Sequence, residues 1–174
     1  MKKIGDLFDN SSSNLSIDNL KDNYGEYKLY GATGLIKHVD FYEKDKPYIA
    51  IIKDGASVGK TFICDYNSSI LGTLQYLEPK ESFDFKFCYY LLNRVHFEKY
   101  RVGSTIPHIY FKDYSMEKIL IPPKAEQVKI SNLLFNIDNK INLIEKEIER
   151  VEEYKKGLLQ KIFYFRWCCF DFLC

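Results

Sequence analysis

The segment Gly55-Ala56-Ser57-Val58-Gly59-Lys60-Thr61 comes nearest to a reactive motif in this chain. Lysine and a hydroxyl residue after a glycine turn are what a phosphate-cradling loop uses to hold a nucleotide. Such a loop needs four residues between its glycines, so that backbone N–H groups curl round the phosphates, and a helix must follow. Here three residues separate Gly55 from Gly59, and Phe62-Ile63-Cys64-Asp65-Tyr66 reads as a strand. Nucleotide binding is not expected. Pro122-Pro123 lies between Ile121 and Lys124, without the polar and aromatic flanks that methyl transfer to a base amino group requires. Asp54 with Lys53 and Lys60 makes a polar turn, not a nuclease set of paired acids. The five cysteines and three histidines (His38, His96, His108) contain no C-x-x-C pair and no spacing for four zinc ligands. The expectation is a non-catalytic protein with no metal and no cofactor of its own.

What remains is a set of polar side chains on or near glycine turns: Thr33, Lys37, Lys53, Asp54, Ser57, Lys60, Ser104, Thr105, His108, Tyr110 and Lys112. Groups of these types can bond base edges and phosphates. The charge balance does not announce nucleic acid. The chain carries 25 basic and 24 acidic side chains, and residues 1–124 hold 17 and 16 of them. Phosphate neutralisation supplies much of the affinity of DNA-binding domains. A chain this close to neutral is expected to bind weakly alone and to need a partner that adds positive surface.

The elements that must position these residues divide near Pro122-Pro123. Before it, strand-like segments (Tyr27–Tyr30, Tyr48–Lys53, Thr61–Tyr66, Ile70–Leu77) alternate with glycine turns at 31–34 and 54–57. Phe85–Phe97 reads as a helix with Asp84 as its N-cap, Gly103–Pro107 as a loop, and Lys118–Ile121 as a short strand that the prolines stop. The fold class is α+β: a mixed globular recognition domain over 1–124 followed by one long coiled-coil helix over 125–163, with an aromatic tail over 164–174.

The helical segment carries the cleanest pattern. From Ala125 to Phe163 there is one Gly and no Pro. Apolar residues fall at Ile130, Leu134, Ile137, Ile141, Ile144, Ile148, Val151, Leu158 and Ile162, in alternating steps of four and three that make a heptad seam. Only Lys155 interrupts it. A helix of this length is more than one small globule can cover, so the seam is expected to bury itself against a partner helix. The odd number of cysteines, with no signal peptide and no apolar run long enough to span a bilayer, points to a cytoplasmic location. The tail, with Tyr164, Phe165, Trp167, Phe170 and Phe172 beside three cysteines, breaks from the heptad logic and reads as an extension beyond it.

Several segments, in order, resemble the DNA specificity subunits of Type I restriction–modification systems. They are Lys3–Phe8 at the start, Tyr30-Gly31-Ala32-Thr33-Gly34-Leu35-Ile36, and Ile51–Gly59, where Lys53 replaces the usual arginine. They continue with Phe87-Cys88-Tyr89-Tyr90-Leu91-Leu92, Gly103-Ser104-Thr105-Ile106-Pro107, Ile119–Gln127 and Glu153–Phe163. The resemblance implies a target recognition domain that reads half of a bipartite site in double-stranded DNA, and a spacer helix that pairs antiparallel with another. It also implies methyltransferase subunits that methylate adenine using S-adenosylmethionine, and a restriction subunit in the full complex. Family members carry two recognition domains and two helices, whereas this sequence has one of each. The expectation is therefore a homodimer paired through the helix, reading inverted half-sites. A coiled-coil adaptor that does not bind DNA and an inactive truncated specificity subunit stay open as alternatives.

Overall fold

The computed structural model describes residues 1–168, with side chains as far as Phe163. Its strands are β1 (Lys2–Lys3), β2 (Phe8–Ser12), β3 (Tyr27–Gly31), β4 (Gly34–Val39), β5 (Tyr48–Ile52), β6 (Thr61–Cys64), β7 (Ser68–Ile70), β8 (Leu74–Pro79) and β9 (Lys118–Ile119). The helices are α1 (Phe85–Leu92), α2 (Phe111–Tyr114) and α3 (Lys124–Cys168). Among the described residues these form three sheets. β2-β8-β5-β6 is antiparallel throughout, β4-β3-β7 pairs β3 with β7 in parallel, and β1 pairs with β9.

The continuous apolar run Tyr48–Ile52 explains the centre of the fold. Every residue of β5 is buried, as expected for a strand covered on both faces. Period two sends Ile49 and Ile51 into one cluster with Leu7, Leu77, Cys88 and Leu92, and Tyr48, Ala50 and Ile52 into another with Ile70, Leu74 and Tyr76. Burying tyrosine is tolerable only where the hydroxyl finds a partner. Tyr48 Oη accepts from Ser68 Oγ at 2.9 Å; Tyr76 Oη donates to Glu43 Oε2 at 2.5 Å and accepts from Ile70 N at 3.0 Å. Burial pushes the thiols of Cys64 and Cys88 up to about 12, which leaves both as inert core residues.

Two expected elements take a different form. The run Ile70–Leu77 is not one strand. Leu71 N donates to Tyr30 O at 2.9 Å and Gly72 N to Leu15 O at 2.8 Å, so the chain turns and feeds β7 and β8 into different sheets. The helix from Phe85 stops at Leu92, although its start is as expected, with Asp84 Oδ1 accepting from Phe87 N at 2.8 Å. It stops short of Phe97 because that ring is needed in the core, where it lies against Gly59.

The double proline launches α3. Pro123 O accepts from the amides of Glu126 and Gln127, at 2.9 and 3.1 Å. Gln127, buried to 2% exposure, accepts from Asp84 N at 3.0 Å and donates to Pro122 O at 2.9 Å. Its amide thus ties the first turn of α3 to the cap of α1. Contacts divide the chain into a unit Met1–Ser131 and a second beginning at Asn132. That boundary is later than the expected 124/125, because Gln127 and Ser131 are buried in the first unit. The helix also runs past Phe163 to Cys168, since no breaker follows Gly157 in that stretch. The tail expected over 164–174 falls beyond the described side chains, and its last six residues lie outside the described residues altogether.

In the second unit the seam lies open. Ile137, Ile141, Ile144, Ile148, Val151, Leu158 and Ile162 are between 40% and 60% exposed. The first seam residues, Ile130 and Leu134, are half-buried. No helix among the described residues is long and apolar enough to cross a membrane.

Candidate nucleic-acid interface

The loop between β5 and β6 is a tight excursion held at both ends. Gly59 N donates to Ile52 O at 2.8 Å and Ile52 N to Lys60 O at 2.9 Å. Gly55 and Gly59 have φ of 99° and 85°, a region that L side chains rarely adopt. At Gly59 the demand is double, because a Cβ there would lie 2.4 Å from Phe97 Cβ. The phosphate-loop geometry is absent: β6 follows as a strand, and no helix N-terminus is presented.

A second loop is closed by a reciprocal pair of bonds, Val102 N to His108 O at 2.9 Å and His108 N to Val102 O at 2.8 Å. Gly103, with φ of 90°, makes the bend. The tip, Ser104-Thr105-Ile106, is exposed. The two loops are laced together by three contacts. Gly55 N donates to Pro107 O at 2.9 Å, Ile109 N donates to Lys53 O at 2.9 Å, and His108 Nδ1 lies 2.6 Å from Asp54 Oδ1. Behind them, Thr73 O accepts from the amides of Lys53 and Asp54 at 3.0 and 3.2 Å, anchoring the pair to the β7–β8 turn. The His108 ring stacks on Tyr110, with centroids 6.5 Å apart and planes 18° from parallel, and the Lys112 ammonium lies 5.4 Å from the Tyr110 ring centre.

The structure therefore brings together Lys53, Asp54, Ser57, Lys60, Ser104, Thr105, His108, Tyr110 and Lys112, which are up to 59 positions apart in sequence (112 − 53). It places the other two site candidates on a different hairpin, β3–β4. Thr33 sits at its exposed turn. Lys37 is occupied locally: its ammonium donates to Leu20 O at 2.6 Å and lies 4.5 Å from the Tyr24 ring centre. Residue-type reasoning passed over Ile106, a large apolar side chain 59% exposed at the loop tip. Its signal was an isoleucine between Thr105 and Pro107 in a loop otherwise polar. Chemically the cluster offers three ammonium groups, several hydroxyls and one apolar tip, with its one carboxylate among the candidates engaged by an imidazole. Among the described residues, no group of three or more His, Cys, Asp or Glu is arranged to hold a metal ion.

The family model for the Type I restriction modification DNA specificity domain matches residues 1–153. The chain belongs to that family. This specificity domain is 33% identical over 118 residues to the Type I restriction enzyme MjaVIII specificity subunit of Methanocaldococcus jannaschii, covering 66% of this chain and 28% of that relative. Among solved structures it is similar to the Type I restriction–modification S subunit from M. genitalium, with a TM-score of 0.69 at 26% identity over 85% of this chain and 41% of that one. A structure described as underlying complex assembly and conformational transition of the type I R-M system matches with a TM-score of 0.72 at 20% identity, over 92% of this chain and 43% of the other, a likeness of fold. The specificity domain thus spans between 28% and 43% of the length of these relatives. The expected α+β class, a mixed globule with one long C-terminal helix, is the observed one.

Proposed function

We propose that this chain is the non-catalytic DNA-reading component of a Type I restriction–modification complex, and that two copies pair through α3 to present two recognition domains. The observation that carries the reading is the juxtaposition of the Lys53–Lys60 and Val102–His108 loops on one rigid support. Rigid loops with lysines for phosphates and hydroxyls for base edges suit sequence reading. The open seam of α3 supports pairing. In this reading the chain acts in the cytoplasm on double-stranded DNA, methyltransferase subunits supply adenine methylation, and a restriction subunit supplies cleavage.

The test is co-expression of this chain with the methyltransferase subunit of a Type I system, followed by mapping of methylated adenines in the host DNA. A bipartite motif with inverted identical halves is expected, because a two-fold pair reads a palindrome. A motif with unlike halves would overturn the homodimer, and methylation no different from cells lacking this chain would overturn the specificity role.

A further inference from the structure

Asp54 stands out within the loop cluster. A carboxylate facing phosphates is repelled, yet Asp54 belongs to the same pair of laced loops as Lys53 and Lys60, the pair proposed to meet DNA. Its side chain is 28% exposed and its partner His108 40% exposed, and the two lie at 2.6 Å. A carboxylate oxygen only accepts, so His108 Nδ1 carries the proton and donates. The same two residues also form an isolated backbone bridge. His108 meanwhile closes its own loop through both backbone bonds to Val102.

We infer that Asp54 is a positioning residue: through His108 it latches the 102–108 loop to the β5–β6 turn, so that Thr105 and Ile106 at the tip read base edges. This deepens the DNA-reading proposal and rests on it. The Thr105 hydroxyl can exchange hydrogen bonds with a base edge, and Ile106 offers the apolar contact that a thymine methyl takes. A tip held at its base by the latch, two backbone pairs and Gly103 loses little freedom on binding, which is what converts such contacts into discrimination. The roles then separate. Lys53, Lys60 and Lys112 supply affinity at any sequence, the tip supplies preference, and Asp54 touches neither base nor phosphate.

The experiment uses the full chain and two variants, Asp54→Ala and Asp54→Asn. Each, assembled with the methyltransferase subunit of the proposed complex, is given a randomised duplex pool, and affinity for the selected duplex is compared with that for an unselected one. Amide hydrogen exchange of the free proteins is read in parallel at Gly55, His108 and Ile109. With alanine, exchange at these three amides is expected to rise about tenfold while that of β5 and β8 stays unchanged. Discrimination should fall about tenfold, and affinity for unselected duplex should hold or rise because a negative charge has gone. Asparagine keeps an acceptor for His108 Nδ1 and is expected to restore both slow exchange and discrimination, a rescue that also answers the case of an unfolded alanine variant. Faster exchange with discrimination intact would overturn the inference and leave the DNA reading standing. Unchanged exchange would overturn the latch. Failure of the wild-type chain to enrich any motif would remove the DNA reading and this inference with it.

Discussion

Gly55 and Gly59 bracket one turn, yet their side-chain hydrogens face different surroundings. Both have positive φ, but a Cβ on Gly55 meets nothing within 4 Å, whereas one on Gly59 lies 2.4 Å from Phe97 Cβ. Gly55→Ala should cost about 1 kcal/mol, the backbone strain alone. Gly59→Ala should cost about 3 kcal/mol, because a core ring must move as well; urea unfolding of the two variants checks the difference. A second residue-scale prediction concerns acid. Hydrogen bonding to the Lys28 ammonium, seconded by Tyr30 Oη, holds the Asp65 carboxyl below its ordinary value against a smaller desolvation effect. A carboxyl with a depressed folded value contributes stability that is present above its ordinary range and lost as pH falls through the folded value. Asp65→Asn should therefore lower stability at neutral pH and flatten the acid limb of the stability curve, measured by urea midpoints from pH 7 down to about 3. An acid limb as steep as wild type would show that the pair contributes nothing.

At the scale of elements, α3 poses the clearest physical problem. From Asn132 onward it continues for about 55 Å of helix, with a stripe of Ile, Leu and Val left half-exposed. Helices in proteins owe most of their stability to packing of an apolar face, and the proposed pairing of two copies would cover this stripe. Ile141→Asp with Ile148→Asp puts two charges into the seam and should weaken self-association by about 100-fold or more. Sedimentation of the double variant reads this directly, while circular dichroism and a cooperative melt of the 1–131 unit should persist. A double variant as dimeric as wild type would place the interface elsewhere.

For the whole molecule, charge sets the terms. The near balance of 17 basic and 16 acidic residues over 1–124 leaves no basic face by count alone. In the proposed function, binding comes from local placement, with Lys53, Lys60 and Lys112 as the phosphate contacts of each copy. Each phosphate neutralised contributes about −0.9 to the slope of log K against log salt, so a pair of copies should show a slope of about −5. The Ile141→Asp, Ile148→Asp variant, read as a single copy, should show about half of that. Titration of a selected duplex at several salt concentrations checks both values, and equal slopes would dissociate DNA binding from pairing.

Local chemistry is what the sequence by itself determined. The strand beginning at Tyr48, the Asp84 cap, the turn glycines and the long heptad helix all follow from neighbours within a few residues, because periodicity and capping are short-range properties. The α+β class was legible for the same reason. Tertiary structure alone decided what depends on distant contacts. The run Ile70–Leu77 splits because Tyr30 and Leu15 capture its turn, and the first helix ends early because Phe97 must fill the space that Gly59 leaves. The lacing of Lys53–Lys60 to Val102–His108 joins residues more than 50 positions apart, and nothing in residue type revealed that Asp54 faces His108 or that Lys37 donates to the carbonyls of Leu20 and Lys21. Side-chain partners across such separations are set by how the sheets stack, and no local pattern encodes them.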